Sequence, residues 1–236
     1  MCFITVYTKV VGNQADNGGN LAIKFTDFTS NYHYDDEVSS VKVNNSRITG
    51  GTGHRGGGLR VWSVIVSATK EQMSYNRIVV EHCILWISNT QFIENHANSS
   101  GGALYISHYE TEQIDYITRQ ISLQNCTFSG NTVPPFGKGA VMELIKHKIL
   151  GYIPHVSPQF EIIFQDCSFT NNSLLRDNKN TFVGATVDIF SMDRVTFKDC
   201  NFTRNNNTAL SLVNSNLVLK GDILFDNAFM THVIIV

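Results

Sequence analysis

The sequence predicts an all-β fold: a parallel β-helix whose short strands stack in successive coils. Three observations carry this. First, a motif with Phe followed three residues later by Asn recurs down the chain, as NTQFIEN (89–95), NCTFSGN (125–131), DCSFTNN (166–172) and DCNFTRN (199–205). Second, a small or Gly-rich turn running into an apolar strand alternates with it, as GGNLAI (18–23), GGGLRVWSV (56–64), GGALYIS (101–107), GKGAVMEL (137–144), VGATVDIF (183–190) and TALSLV (208–213). Third, the apolar residues alternate with period two, as in ISLQNCTF and VTFKDCNF, and the shortest repeats of 20 to 22 residues cannot hold two paired helices.

One such unit cannot bury its own apolar face, whereas stacked units bury it continuously, each strand pairing with its copy in the next coil. Residues in one slot then stack about 4.8 Å apart. Phe92, Phe128, Phe169 and Phe202 fill the interior slot, where aromatic rings stack in offset fashion. Cys126, Cys167 and Cys200 lie two residues earlier on the same strand face and also point inward, forming a column of small buried thiols. A disulfide between adjacent coils is also compatible with the spacing. Asn95, Asn131, Asn172 and Asn205 sit where the chain turns, in left-handed geometry, with amides free to bond to the next coil. Gly101, Gly102, Gly139 and Gly184 supply turns.

Degenerate copies extend the register: FTDFTSN offers Phe28 and Asn31, NSRITGG offers Ile48 and Gly51, and GDILFDN offers Leu224 and Asn227. The fold is thus read as roughly seven to nine coils in a single domain over 1–236, clearest at 87–227 and expected to be a fragment lacking caps. Extra residues at 65–82, 108–120 and 145–159 are expected as loops on one side. The one segment with any helical stripe lies around 140–150. An antiparallel β-sandwich is the alternative, disfavoured by the fixed order of two strand types.

Net charge is −2 with 16% charged residues, so no basic patch invites nucleic acid. No apolar run is long enough to span a bilayer as a helix. The 23 Asn, with abundant Ser, Thr and Gly, suit an extracellular or cell-surface solenoid. Sequons stand at Asn44, Asn98, Asn125, Asn171, Asn201 and Asn206, of which Asn98 and Asn206 are read in turns able to carry glycan.

The pairing of GGAL (101–104) with FxxN resembles the repeats of the chlamydial polymorphic outer-membrane proteins. Units of the form ISLQNCTFSGN…GKGAVMEL are similar to the right-handed β-helix surface proteins of marine invertebrates, within the pectin-lyase-like superfamily. The resemblance covers roughly residues 15–230 and implies right-handedness and a role in adhesion or surface display.

Polysaccharide-cleaving members of that superfamily need clustered carboxylates or a basic residue with calcium. Here Asp166 and Asp199 share a slot with Asn89 and Asn125, which reads as a turn ladder. Asp35, Asp36 and Glu37 read as a solvated loop, and His54 and Arg55 fall in a Gly turn without paired Asp. Tyr105, Tyr109, Tyr116 and Tyr152 are candidates for stacking on sugars, against plain packing on the strand surface. No catalytic, cofactor or metal residues are assigned. The expected function is a non-enzymatic extracellular scaffold for adhesion or recognition, with an unidentified extracellular protein or glycan as partner; the alternative is a polysaccharide hydrolase or lyase.

Overall fold

A computed structural model describes residues 3–6, 9–28, 40–66, 80–110, 117–148, 160–175, 185–227 and 233–235. These residues are all-β, and every pairing between strands is parallel. They form four sheets, which the chain visits in turn in its first five repeats; the last two pass from sheet two to sheet four with no strand of sheet three among the described residues. Sheet one holds Phe3–Val6, Ser40–Asn44, Val80–Ser88, Ile117–Gln124, Phe160–Gln165, Arg194–Lys198 and Leu217–Lys220. Sheet two holds Lys9–Val11, Arg47–Thr49, Gln91–Ile93, Thr127–Ser129, Ser168–Thr170, Asn201–Thr203 and Leu224–Asp226. Sheet three is the narrowest, with Gln14–Asn17, Thr52–Arg55, His96–Ser100, Thr132–Val133 and Ser173–Leu174. Sheet four holds Leu21–Phe28, Leu59–Val66, Leu104–Glu110, Met142–Lys148, Ala185–Phe190, Thr208–Val213 and Val233–Ile235. This is the connectivity expected of a parallel β-helix.

The interior is built from columns. Phe92, Phe128, Phe169 and Phe202 are fully buried and stack with centroids 4.4 to 5.0 Å apart and planes within 10°. A second stack, Phe164 on Phe197 at 4.4 Å, meets the first edge-on, Phe197 lying 5.6 Å from Phe202 at 63°. In-register parallel pairing forces this, because the strand repeat and a tilted ring stack have nearly the same spacing.

The corners explain the polar part of the motif. Between sheets one and two the chain turns through Asn45, Asn89, Asn125, Asp166 and Asp199, all with φ between 47° and 53°. Asn and Asp tolerate this left-handed region better than other side chains. The next residue inward is Ser46, Thr90, Cys126, Cys167 or Cys200. Each donates to the carbonyl two residues back, from Ser46 Oγ to Asn44 at 2.8 Å through Cys200 Sγ to Lys198 at 3.2 Å. Hydroxyl and thiol are interchangeable here because the slot needs a small donor that closes the turn. The three thiols are free and buried, and they occupy the corner rather than the strand on which the sequence reading placed them.

At the corner after the sheet-two strand the left-handed residue is Gly50, Glu94, Gly130, Asn171 or Arg204, one before the slot held by Gly51 or the motif Asn. Asn95, Asn131, Asn172 and Asn205 are themselves not left-handed, which corrects the sequence expectation, and they are 0% exposed. The amide bonding to the next coil is found. Asn131 Oδ1 accepts from the Asn95 N–H (3.1 Å) and Nδ2 (3.0 Å), while Asn131 Nδ2 donates to the Phe92 carbonyl and to Asn172 Oδ1. The pattern repeats at Asn172 and Asn205. Both amide hydrogens and the oxygen are thus satisfied in a buried corner.

Three details of the sequence register are corrected. Phe28 ends a sheet-four strand, paired with Val66, and the interior slot of the first repeat is held by Val10, paired with Ile48. In the last repeat the slot belongs to Phe225, stacked 5.3 Å from Phe202, and not to Leu224, because one additional residue enters the preceding corner. The stripe around 140–150 is the strand Met142–Lys148. Asn31 and Gly184, with residues 67–79, 111–116 and 149–159 of the expected inserts, lie outside the described residues.

Candidate functional site

The outer face of sheet one carries the chemistry. Its in-register columns run Lys42, Trp86, Ser122, Ile163 and, beside them, Asn44, Ser88, Gln124, Gln165. The adjoining corner adds Asn89, Asn125 and Asp166. Together Lys42, Asn44, Trp86, Ser88, Asn89, Gln124, Asn125 and Asp166 line an open groove of roughly 750 Å³ that crosses three consecutive strands and reaches the corner of the fourth. Trp86 is 40% exposed, the large aromatic that this face leaves to solvent. Lys42 Nζ lies 5.7 Å from its ring centroid, a cation over one face. On the neighbouring strand the in-register residue is Ser122, too small to cover the ring.

Local hydrogen bonds fix the groove's polar wall. Ser88 Oγ (2.9 Å) and Asn89 Nδ2 (3.2 Å) donate to Asn44 Oδ1, and Asn125 Nδ2 donates to Asn89 Oδ1 at 2.7 Å. Each amide donates to the coil before it, and the Asp166 carboxylate, next on the corner, has no N–H with which to continue the row. An oriented row of amide and carboxylate groups beside an exposed indole can bind a ligand with many hydroxyls; it holds no nucleophile–base pair.

A second polar cluster sits on the outer side of sheet four, in the register column Arg60, Tyr105, Glu143, Asp188, Ser211. Tyr105 is 1% exposed; Arg55 and Arg60 flank its ring at 5.2 and 5.4 Å, and Arg55 donates to its hydroxyl at 3.1 Å. Burial raises the carboxyl of Glu143 above its ordinary range, against the Ser100 hydrogen bond and the charges of Lys138 and Arg55. Burial likewise raises Asp188, although its Oδ2 accepts backbone N–H bonds from Gly139 (2.6 Å) and Ala185 (3.1 Å). Nearby, the fully buried Lys146 side chain pairs with Asp193 at 2.8 Å, and Asp193 also accepts from the Phe160 N–H. Glu143 and Asp188 are adjacent carboxyls, but both are buried and committed to internal partners.

The sequence-predicted residues divide accordingly. The Phe, Asn and Cys columns are brought together as described. Asp166 and Asp199 fall on the corner ladder with Asn89 and Asn125. His54 is exposed in Thr52–Arg55 while Arg55 turns to Tyr105, so the two do not act together. Tyr105 packs under its neighbours and offers no platform; nothing is described of the Tyr109 side chain, and Tyr116, Tyr152, Asp35, Asp36 and Glu37 lie outside the described residues. Asn98 is exposed, in the strand His96–Ser100 rather than in a turn. Asn206 is half-buried, its amide exchanging hydrogen bonds with both backbone groups of Leu174. Sequence reasoning missed Trp86. Its outward parity in CILWIS was the available signal, since Leu85 and Ile87 on either side are buried.

Two further observations bear on chemistry. Among the described residues no group of three His, Cys, Asp or Glu is arranged to hold a metal ion. Among the same residues no helix is long and apolar enough to cross a membrane. Comparison with known proteins finds no matching family model, no matching curated protein and no matching solved structure.

Proposed function

We propose that the chain is a right-handed parallel β-helix of the pectin-lyase-like type and works as a non-enzymatic extracellular or cell-surface scaffold for adhesion or recognition. The outer face of sheet one is its recognition surface. The observation that carries this is the groove at Trp86, where an exposed indole and an oriented amide row are set on an in-register stack. Seven parallel strands in each of sheets one, two and four, among the described residues, support a stacked repeat. An Asn-rich, weakly charged composition and the exposed Asn98 sequon fit an extracellular setting. Scaffold rather than polysaccharide cleavage is favoured because an acid–base pair must reach solvent and substrate, and Glu143 and Asp188 are buried.

The test is adhesion of beads coated with the folded protein to cells and extracellular matrix. Wild-type beads should adhere and free protein should compete; Trp86→Ala beads should lose most of that adhesion at unchanged thermal stability. Adhesion unaffected by Trp86→Ala would remove sheet one as the recognition surface.

A further inference from the structure

Resting on that reading of sheet one, we infer that the groove takes an uncharged glycan chain, laid across the strands along the stack, with Trp86 as its stacking platform. The chemistry of the lining selects the class. An indole with one open side offers a flat apolar surface to the C–H face of a sugar ring. Beyond it Gln124, Asn125 and Asp166 present amide and carboxylate groups, which match hydroxyls that both donate and accept. Adjacent strands stand about 4.8 Å apart, close to the length of one pyranose unit, so successive sugars of an extended chain meet successive rows of the same face.

Charge excludes the acidic alternative. Lys42 and Asp166 are the charged residues of the groove, one of each sign at opposite ends, and the rest of the lining is neutral. A polyuronate or sulfated chain would place repeated negative charge against a neutral wall and the Asp166 carboxylate. A peptide strand is disfavoured for another reason. Peptide capture by strand addition needs an open sheet edge, and the groove crosses the middle of sheet one, where each strand is already paired on both sides.

The experiment is calorimetric titration of the folded protein with neutral hexasaccharides (cello-, manno-, laminari- and chito-oligosaccharides), with oligogalacturonate and a heparin oligosaccharide as charged comparators. At least one neutral chain should bind saturably, and the charged chains should bind more weakly. Trp86→Ala should weaken binding about tenfold or more, as for an aromatic anchor. Ser122→Phe, which fills the space beside the indole without removing it, should also abolish binding while leaving the fold intact. No saturable binding by any neutral chain overturns the inference, and so does tighter binding of the charged chains or unchanged affinity in Trp86→Ala. If bead adhesion depends on Trp86 yet no neutral glycan binds, the recognition face stands and its ligand is a protein; if adhesion ignores Trp86, the reading of the face itself fails.

Discussion

Asn131 shows how much one side chain carries in this architecture. Its amide serves the Asn95 N–H, the Phe92 carbonyl and two neighbouring Asn side chains, all in a fully buried corner. Asn131→Ala strips several buried groups of partners at about 1–3 kcal/mol each, so a loss of at least about 3 kcal/mol is expected in urea denaturation. Asn131→Asp should be no better, since a carboxylate cannot donate to Phe92. Glu94 illustrates the reverse case. It holds φ = 53° where Gly50 and Gly130 stand in neighbouring repeats, and relief of left-handed strain predicts that Glu94→Gly stabilises by up to about 1 kcal/mol. The thiols make a third prediction. Hydrogen bonding to a neighbouring thiol together with burial pushes Cys167 and Cys200 up, out of the ordinary thiol range. The same hydrogen bonding lowers Cys126, so burial alone shields that thiol. Alkylation at mildly alkaline pH should therefore leave Cys167 and Cys200 unlabelled in the folded protein and label all three thiols in denaturant; labelling of folded Cys167 or Cys200 would contradict the packing.

At the scale of elements, Glu143 links sheet four to solution pH. Its folded carboxyl is raised above the ordinary 4.5 by burial, so the folded state holds this proton more tightly than the unfolded chain. The stability it contributes is complete below pH 4.5 and is lost as pH rises through the folded value. Glu143→Gln should thus gain on wild type as pH rises from 4 to 7, measured by denaturation midpoints; a gap that shrinks with pH would contradict this. The corner between sheets two and three shows both the reach and the limit of sequence reading. Phe128 and Asn131 were legible because the same letters recur in register. Val10 and Phe225 were not, because a different apolar residue fills the first slot and an added residue shifts the last. Least legible was the ladder at Gly51. There the Asn20 amide, from the turn into sheet four one repeat upstream, takes the missing side chain's place, accepting from Asn13 (3.1 Å) and donating to Asn95 Oδ1 (3.3 Å). A β-carbon on Gly51 would collide with that amide and with the Gly57 carbonyl, so Gly51→Ala is expected to destabilise strongly.

For the whole molecule, parallel in-register pairing turns a one-dimensional repeat into flat faces, and function then depends on which face breaks the pattern. The Phe, Cys and Asn columns of the interior could be named from sequence because burial repeats. Trp86 was marked only by its outward parity in CILWIS, since its neighbours in register are Lys42 and Ser122 and no repeated letter singles it out. The exposed face becomes visible only when every register is fixed at once. The central claim is that sheet one, and not the stack at large, makes the contact. The most direct measurement compares adhesion of beads carrying Trp86→Ala with beads carrying Gln91→Ala, an exposed change on the outer side of sheet two, at matched folded fraction. The account predicts that Trp86→Ala loses most of the adhesion while Gln91→Ala keeps it; equal retention by both, or loss with Gln91→Ala alone, would contradict it.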